Sequence, residues 1–263
     1  MQLLNMSSSL DFTFMNGRTA QAIQVQERAE LPTALNEIGL PCSVPVLVVV
    51  GGASNLNPLD YQRLENLFVH LLAPLAEELG AIVVDGGTDA GIMQLMGLAR
   101  AQIQGSFPLV GVAPVEKVQI PGRRSSAFPL EPHHSHFVLV PGSKWGDESP
   151  WIAEVASLLS QNAPSVTILM NGGSISLKDV EESLSENRLV VVIAGTGRLA
   201  DQIATAMQNP LVDQQTSISA LATGGLKLFE LSKSTAQLKA FLKGHFLQSS
   251  KQNQNSLHSR FNA

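Results

Sequence analysis

From Pro45 to Leu231 the chain alternates between two hydrophobic rhythms. Short unbroken apolar runs, rich in Val and Ile, mostly end in glycine and give way to stretches where apolar residues recur every three or four positions. The runs are VPVLVVVGG (44–52), AIVVDGGT (81–88), PLVGVAP (108–114), HFVLV (136–140), SVTILMNGG (165–173), RLVVVIAGTG (188–197) and Leu226–Leu231. A run with no polar alternation predicts a strand covered on both faces, as in a parallel sheet joined by crossover helices.

The intervening stretches predict those helices. Over Asp60–Leu79, Leu64, Leu67, Phe68, Leu71, Leu72 and Leu75 form one apolar stripe, with Gly80 as a left-handed stop. Ile92, Met93, Leu95, Met96, Ala99 and Ile103 do the same for the next helix. Further helices are expected over Trp151–Ser160, after a Ser176 cap with Asp179 complementing the helix N-terminus, over Arg198–Met207 and over Ser234–Lys243. Before the first run, residues 1–43 read as a partly helical lead-in, with helices around Arg18–Ile38 broken at Pro32. Residues 44–247 read as one ligand-binding domain and 248–263 as a disordered Ser/Asn/Gln-rich tail. The pattern predicts an α/β chain: a Rossmann-like, doubly wound, mainly parallel sheet of six or seven strands flanked by helices. In such sheets ligands sit beyond the carboxyl ends of the strands, where the strand order reverses.

Composition narrows the function. Charged residues make up 15% of the 263, below the roughly 25% of an average soluble domain. The formal net charge is −5, which offers no surplus of Lys and Arg for nucleic acid. A lone Cys42 cannot close an intramolecular disulfide, no apolar run is long enough to span a bilayer, and the N-terminus lacks a secretory pattern. A cytoplasmic protein without a membrane span is expected.

Candidate chemistry lies where the runs end. Gly51-Gly52, Gly86-Gly87, Gly172-Gly173 and Gly195-Thr196-Gly197 all fall at one edge of the expected sheet, where close-approaching amides and helix N-termini suit a phosphate. Neither GxxxxGK[ST], nor a strand-following GxGxxG, nor GxSxG is present. Arg198 opens its helix beside the Gly-Thr-Gly amides, where a guanidinium can pair with a phosphate, and Asp201 follows as either its salt-bridge partner or a helix-dipole acid. Arg123 and Arg124 lie in an irregular stretch that could reach the same edge. His133, His134 and His136 cluster without a companion carboxylate, so no metal site is expected. Lys144, Trp145, Asp147 and Glu148 form a loop that reads as a rim or lid.

VVVGGAS, VVDGGTDAGIM, LEPHHSHFVLV followed by KWGDES, ILMNGGS and VVVIAGTGRLADQIA resemble, in order and spacing, the N-terminal SLOG (LSDAT) domain of melastatin-type TRP channels, and the chain looks like its prokaryotic, stand-alone version. The resemblance implies a sensing or binding domain for a nucleotide-derived ligand such as ADP-ribose, with no resident cofactor. It implies a pocket lined by Gly51, Gly52, Ala53 and Ser54, by Gly86, Gly87, Thr88, Gly91, Ile92 and Met93, and by Gly195, Thr196, Gly197 and Arg198, with Arg198 as the phosphate-pairing residue. Gly172 and Gly173 join that set from the glycine pattern, and His134 and His136 fit the family's Asn-His-(Ser/Thr)-His motif, except that His133 replaces its Asn. Of these histidines, His136 is taken as ligand-contacting.

The wider superfamily resembles phosphoribohydrolases whose signature is Pro-Gly-Gly-x-Gly-Thr-x-x-Glu, from which Ala194–Asp201 departs by lacking the Pro and carrying Asp for Glu. The alternative function is therefore a nucleotide N-glycosidase with Asp201 as its catalytic carboxylate. Assembly into a homo-oligomer is also expected.

Overall fold

The computed structural model describes residues 9–52, 57–122, 126–208, 225–233 and 235–247; Ala53, Ser54, Arg123, Arg124 and the tail 248–263 lie outside the described residues. Strands β1 (Ser9–Thr13) and β2 (Thr19–Gln24) lead into helix α1 (Leu31–Glu37). Then come β3 (Val46–Gly51), α2 (Pro58–Leu67), α3 (Ala73–Leu79), β4 (Ile82–Asp85), α4 (Gly91–Gln102) and β5 (Leu109–Pro114). Two short strands, β6 (Val118–Gln119) and β7 (Phe128–Pro129), precede β8 (His136–Val140) and α5 (Ser149–Ser160). The chain continues through β9 (Ser165–Met170), α6 (Ser174–Ser185), β10 (Leu189–Ala194), α7 (Arg198–Gln208), β11 (Leu226–Glu230) and α8 (235–247).

Nine strands form one sheet in the order β1-β2-β8-β5-β4-β3-β9-β10-β11, with every pairing parallel except β1 with β2. The seven apolar runs are β3, β4, β5, β8, β9, β10 and β11. Within β3 the alternation is one of faces rather than of polarity: Val46, Val48 and Val50 enter the core under α1, α5, α6 and α7, while Leu47 and Val49 enter the core under α2, α3, α4 and α8. Helices therefore cover both faces, and the fold is Rossmann-like. From β3 the chain winds outward through β4, β5 and β8, then returns to the opposite flank of β3 as β9. The strand order reverses between β3 and β9.

Four local features differ from the sequence reading. The N-terminal lead-in supplies two strands as well as a helix, because Ala20 and Ala22 are buried while Thr19 and Gln21 are exposed, a period of two. Alanine favours helices in isolation, but the parallel ladder with β8 outweighs that preference. Pro32 stands in the first turn of α1 and begins the helix rather than breaking it. Helix α6 starts two residues before the expected cap, with Gly173 as N-cap, so Ser176 lies inside its first turn. The long stripe over 58–79 holds, but Phe68–Leu72 is wound as a π turn. Pro74 has no N–H to give to the carbonyl four residues back, and the wider turn absorbs the missing bond.

Candidate functional site

A cavity of about 540 Å³ opens at the carboxyl ends of β3, β4 and β9, where the order reverses. It is lined by Gly51 and Gly52 at the end of β3, Gly86 and Thr88 after β4, Met93 of α4, and Gly172, Gly173 and the first turn of α6. Arg198 enters from the start of α7, Glu148 stands just before α5, Asp179 comes from α6, and Phe128 with Trp145 borders the space. The two rings meet edge to face at 5.4 Å between centroids, with the Lys117 ammonium 5.6 Å from the Trp145 ring centre.

Of the residues singled out in the sequence, Gly51, Gly52, Gly86, Thr88, Met93, Gly172, Gly173 and Arg198 line this cavity. Gly87, Gly91, Ile92, His136, Gly195, Thr196 and Gly197 are not among its lining residues. Ile92 is fully buried in the core, and His136 sits on β8, where burial pushes its imidazole down to about 4 and keeps it neutral.

The glycines do different work. A Cβ on Gly51 would stand 1.8 Å from the Met170 carbonyl oxygen, so this glycine is demanded by the approach of β9. A Cβ on Gly173 would stand 2.6 Å from Nη2 of Arg198, so its bare Cα is the surface on which the guanidinium lies. Arg198 is thereby held at the N-terminus of α6, whose first N–H groups lack intrahelical acceptors.

The Gly-Thr-Gly turn is organised differently from the sequence expectation. Its amides serve Asp201, whose carboxylate oxygens accept from Gly195 N at 2.6 Å and Gly197 N at 3.1 Å. Thr196 Oγ donates to the Ile193 carbonyl at 2.6 Å and accepts from Asn171 N at 2.7 Å, while the Asn171 side-chain amide donates to the Thr196 carbonyl at 2.6 Å. The Ala200 amide donates to the Asn171 carbonyl at 3.0 Å. This turn is a clasp between β9 and β10, and its contribution to the cavity is the Arg198 side chain.

Beneath the second glycine loop lies a buried charge cluster. Asp85 Oδ1 accepts from Gly87 N at 2.7 Å and lies 2.8 Å from His134 Nε2. On the other side of the ring, His134 Nδ1 meets Glu131 Oε2 at 2.8 Å, and Glu131 Oε1 meets His133 Nδ1 at 2.5 Å. Burial favours the neutral imidazole, but Asp85 and Glu131 together outweigh it and raise His134 to about 9, so it is an imidazolium at neutral pH. Burial likewise works against the charged form of Glu131, and the two histidines overcome it and hold its carboxyl below the usual range. Glu131 is the companion carboxylate of the His cluster, two residues before His133 in the chain. Among the described residues no group of three or more His, Cys, Asp or Glu is disposed to hold a metal ion.

Two lining residues carry chemistry that sequence reasoning passed over. Asp179, read as a helix-dipole acid, is buried against the cavity, and burial, reinforced by Glu148, pushes its carboxyl up to about 7. Glu148, read as part of a rim, is also buried, and burial raises it too. The signal was available in the spacing, since Ile175, Ser176 and Asp179 share one helical face and all three line the cavity.

Fold and crevice together define a Rossmann-like α/β domain with a glycine-rich cavity at its topological reversal. A family model described as SLOG in TRPM, prokaryote, matches residues 44–240, and the chain belongs to that family. It is 24% identical over 218 residues to transient receptor potential cation channel subfamily M member 2 of Mus musculus, covering 68% of this chain and 14% of the relative. It is 26% identical over 216 residues to a subfamily M member-like 2 protein of Nematostella vectensis, covering 65% and 14%. Subfamily M member 4 of Rattus norvegicus is 24% identical over 244 residues, covering 77% and 20%. The chain therefore spans only a small part of these channels' length, and no described helix is long and apolar enough to cross a membrane.

Proposed function

We propose that the crevice binds a nucleotide-derived ligand through its phosphate, with ADP-ribose the first compound to test. The observation that carries this reading is the seating of the Arg198 guanidinium on Gly173 at the N-terminus of α6, inside the cavity at the β3/β9 reversal. A guanidinium offers a fork of donors to a phosphate, and a helix N-terminus adds partial positive charge at the same place. Membership in the SLOG family and the aromatic pair Phe128–Trp145 at the cavity suit a ligand that ends in a base. The reading is of a binding or sensing domain, cytoplasmic and self-assembling; the N-glycosidase alternative rested on Asp201, whose carboxylate caps two backbone amides.

Isothermal calorimetry with ADP-ribose, NAD and AMP tests the proposal. Binding tighter than millimolar that weakens at least about tenfold in Arg198→Ala supports it, as expected for a charged hydrogen-bonded pair. Absence of binding by all three, or affinity indifferent to Arg198, overturns it.

A further inference from the structure

The cavity that holds Arg198 also holds two buried carboxyl groups, Glu148 with 6% and Asp179 with 8% of its surface exposed. Ionised, they would repel a phosphate set beside them, which favours their serving another part of the ligand. Their own partners leave capacity. Glu148 Oε2 accepts the Gly146 amide at 2.7 Å. Asp179 faces Ser149, yet its buried Oδ1 has no hydrogen-bond partner among the described residues. Lys178, the cation that acts on both, gives its ammonium to the Gly146 carbonyl at 2.5 Å. A buried acid left incompletely satisfied in a binding cavity calls for a polar group from outside the chain.

Three kinds of group could answer. A divalent cation would need more oxygen ligands than two carboxylates, and among the described residues no group of three or more His, Cys, Asp or Glu is disposed to hold one. An ammonium or amidinium only donates and has nothing to accept the proton of a neutral carboxyl, the form that burial favours for each of these acids. A hydroxyl both donates and accepts, which matches a carboxyl that keeps its proton and equally one that has lost it. Two neighbouring acids match two neighbouring hydroxyls.

We propose that Asp179, together with Glu148, forms a hydroxyl-reading wall of the crevice, so that the ligand bound there carries a free vicinal diol, as a ribosyl group does, alongside its phosphate. This rests on the phosphate-binding reading of Arg198 and adds the sugar to it. Asp179 is then a specificity-determining residue, separating ribosyl compounds from their deoxy counterparts, while Arg198 supplies affinity to both.

The experiment is a calorimetric comparison of ADP-ribose with 2′-deoxy-ADP-ribose, and of AMP with 2′-deoxy-AMP, in four proteins: wild type, Asp179→Leu, Asp179→Asn and Arg198→Ala. Thermal melting confirms that each is folded. The wild type is expected to prefer the ribosyl form by about tenfold or more, because the deoxy form leaves a buried acid unsatisfied. Asp179→Leu is expected to bring the two affinities together. Asp179→Asn, which retains a donor and an acceptor, keeps the preference, and Arg198→Ala weakens both forms alike with their ratio unchanged. A wild-type ratio near one, or a ratio that survives Asp179→Leu, overturns the diol proposal while leaving the phosphate reading intact if Arg198→Ala still weakens binding. No binding of any of the four compounds by the wild type overturns both.

Discussion

His134 Nε2 lies 2.8 Å from Asp85 Oδ1, with both side chains wholly buried, and the same oxygen accepts the Gly87 amide. The imidazolium thus holds, through one carboxylate, the backbone of the loop whose Gly86 and Thr88 line the cavity. Removing the ring by His134→Ala strands Asp85 in the core without its counter-charge and leaves Glu131 with its His133 contacts alone on that side. Urea denaturation should show a loss of about 3–5 kcal/mol, the usual cost of breaking a buried ion pair from one side.

The same cluster sets a pH dependence. His134 is raised from 6.5 to about 9 in the folded chain, so its contribution is complete below pH 6.5 and is lost as pH climbs through 9. Melting temperature should decline over that window. A His134→Gln protein, measured across the same buffers, should show a distinctly shallower decline.

Asp179 acts in a lower window. Its carboxyl is raised from 3.8 to about 7, so folding favours the protonated form and stability is surrendered between those values as pH rises. Above pH 7 the folded chain carries the whole cost of a desolvated carboxylate facing Glu148. Asp179→Asn should therefore raise stability at pH 8 by about 2 kcal/mol, and by much less at pH 4. Parallel denaturation curves at those two pH values decide the matter.

Gly173→Ala should separate binding from folding. The backbone of Gly173 is extended, with φ −143° and ψ −151°, so alanine fits its conformation. What the new methyl meets is the flexible end of Arg198. Stability should change by less than about 1 kcal/mol, while affinity for a phosphate ligand falls about tenfold as the guanidinium is displaced. Denaturation and calorimetry on one preparation test both halves.

Asp201→Ala releases the Gly195 and Gly197 amides together. A loss of about 1–2 kcal/mol in urea denaturation is expected, similar to that for losing a helix cap. Chromatography after incubation with nucleoside monophosphates should show no difference in free base between this variant and the wild type.

The seven sheet-forming runs were legible because Val- and Ile-rich segments with no polar alternation have few alternatives, and HFVLV marks β8 from end to end. The carboxyl edge was legible through its glycines. What escaped depends on distant partners. Ala20 and Ala22 carry too little bulk to announce a strand, and only the β8 ladder makes them one. Asp201 lies in the first turn of α7 and Asp179 in the second turn of α6; one turns back to its own turn and the other borders the cavity. The separation arises because α6 begins beside β9, at the reversal, and α7 begins one strand further out, beside β10.

The N-terminal hairpin has a practical consequence for dissecting the protein. β2 is bonded to β8 from Gln21–His136 through Gln24–Leu139, whereas the family match begins at residue 44. A fragment cut to the homologous region would bare one flank of β8, a strand with four of five residues buried, and turn an interior strand into a sticky border. The evolutionary boundary and the folding boundary do not coincide. Residues 9–24 belong with the sheet in any fragment meant to stay monodisperse.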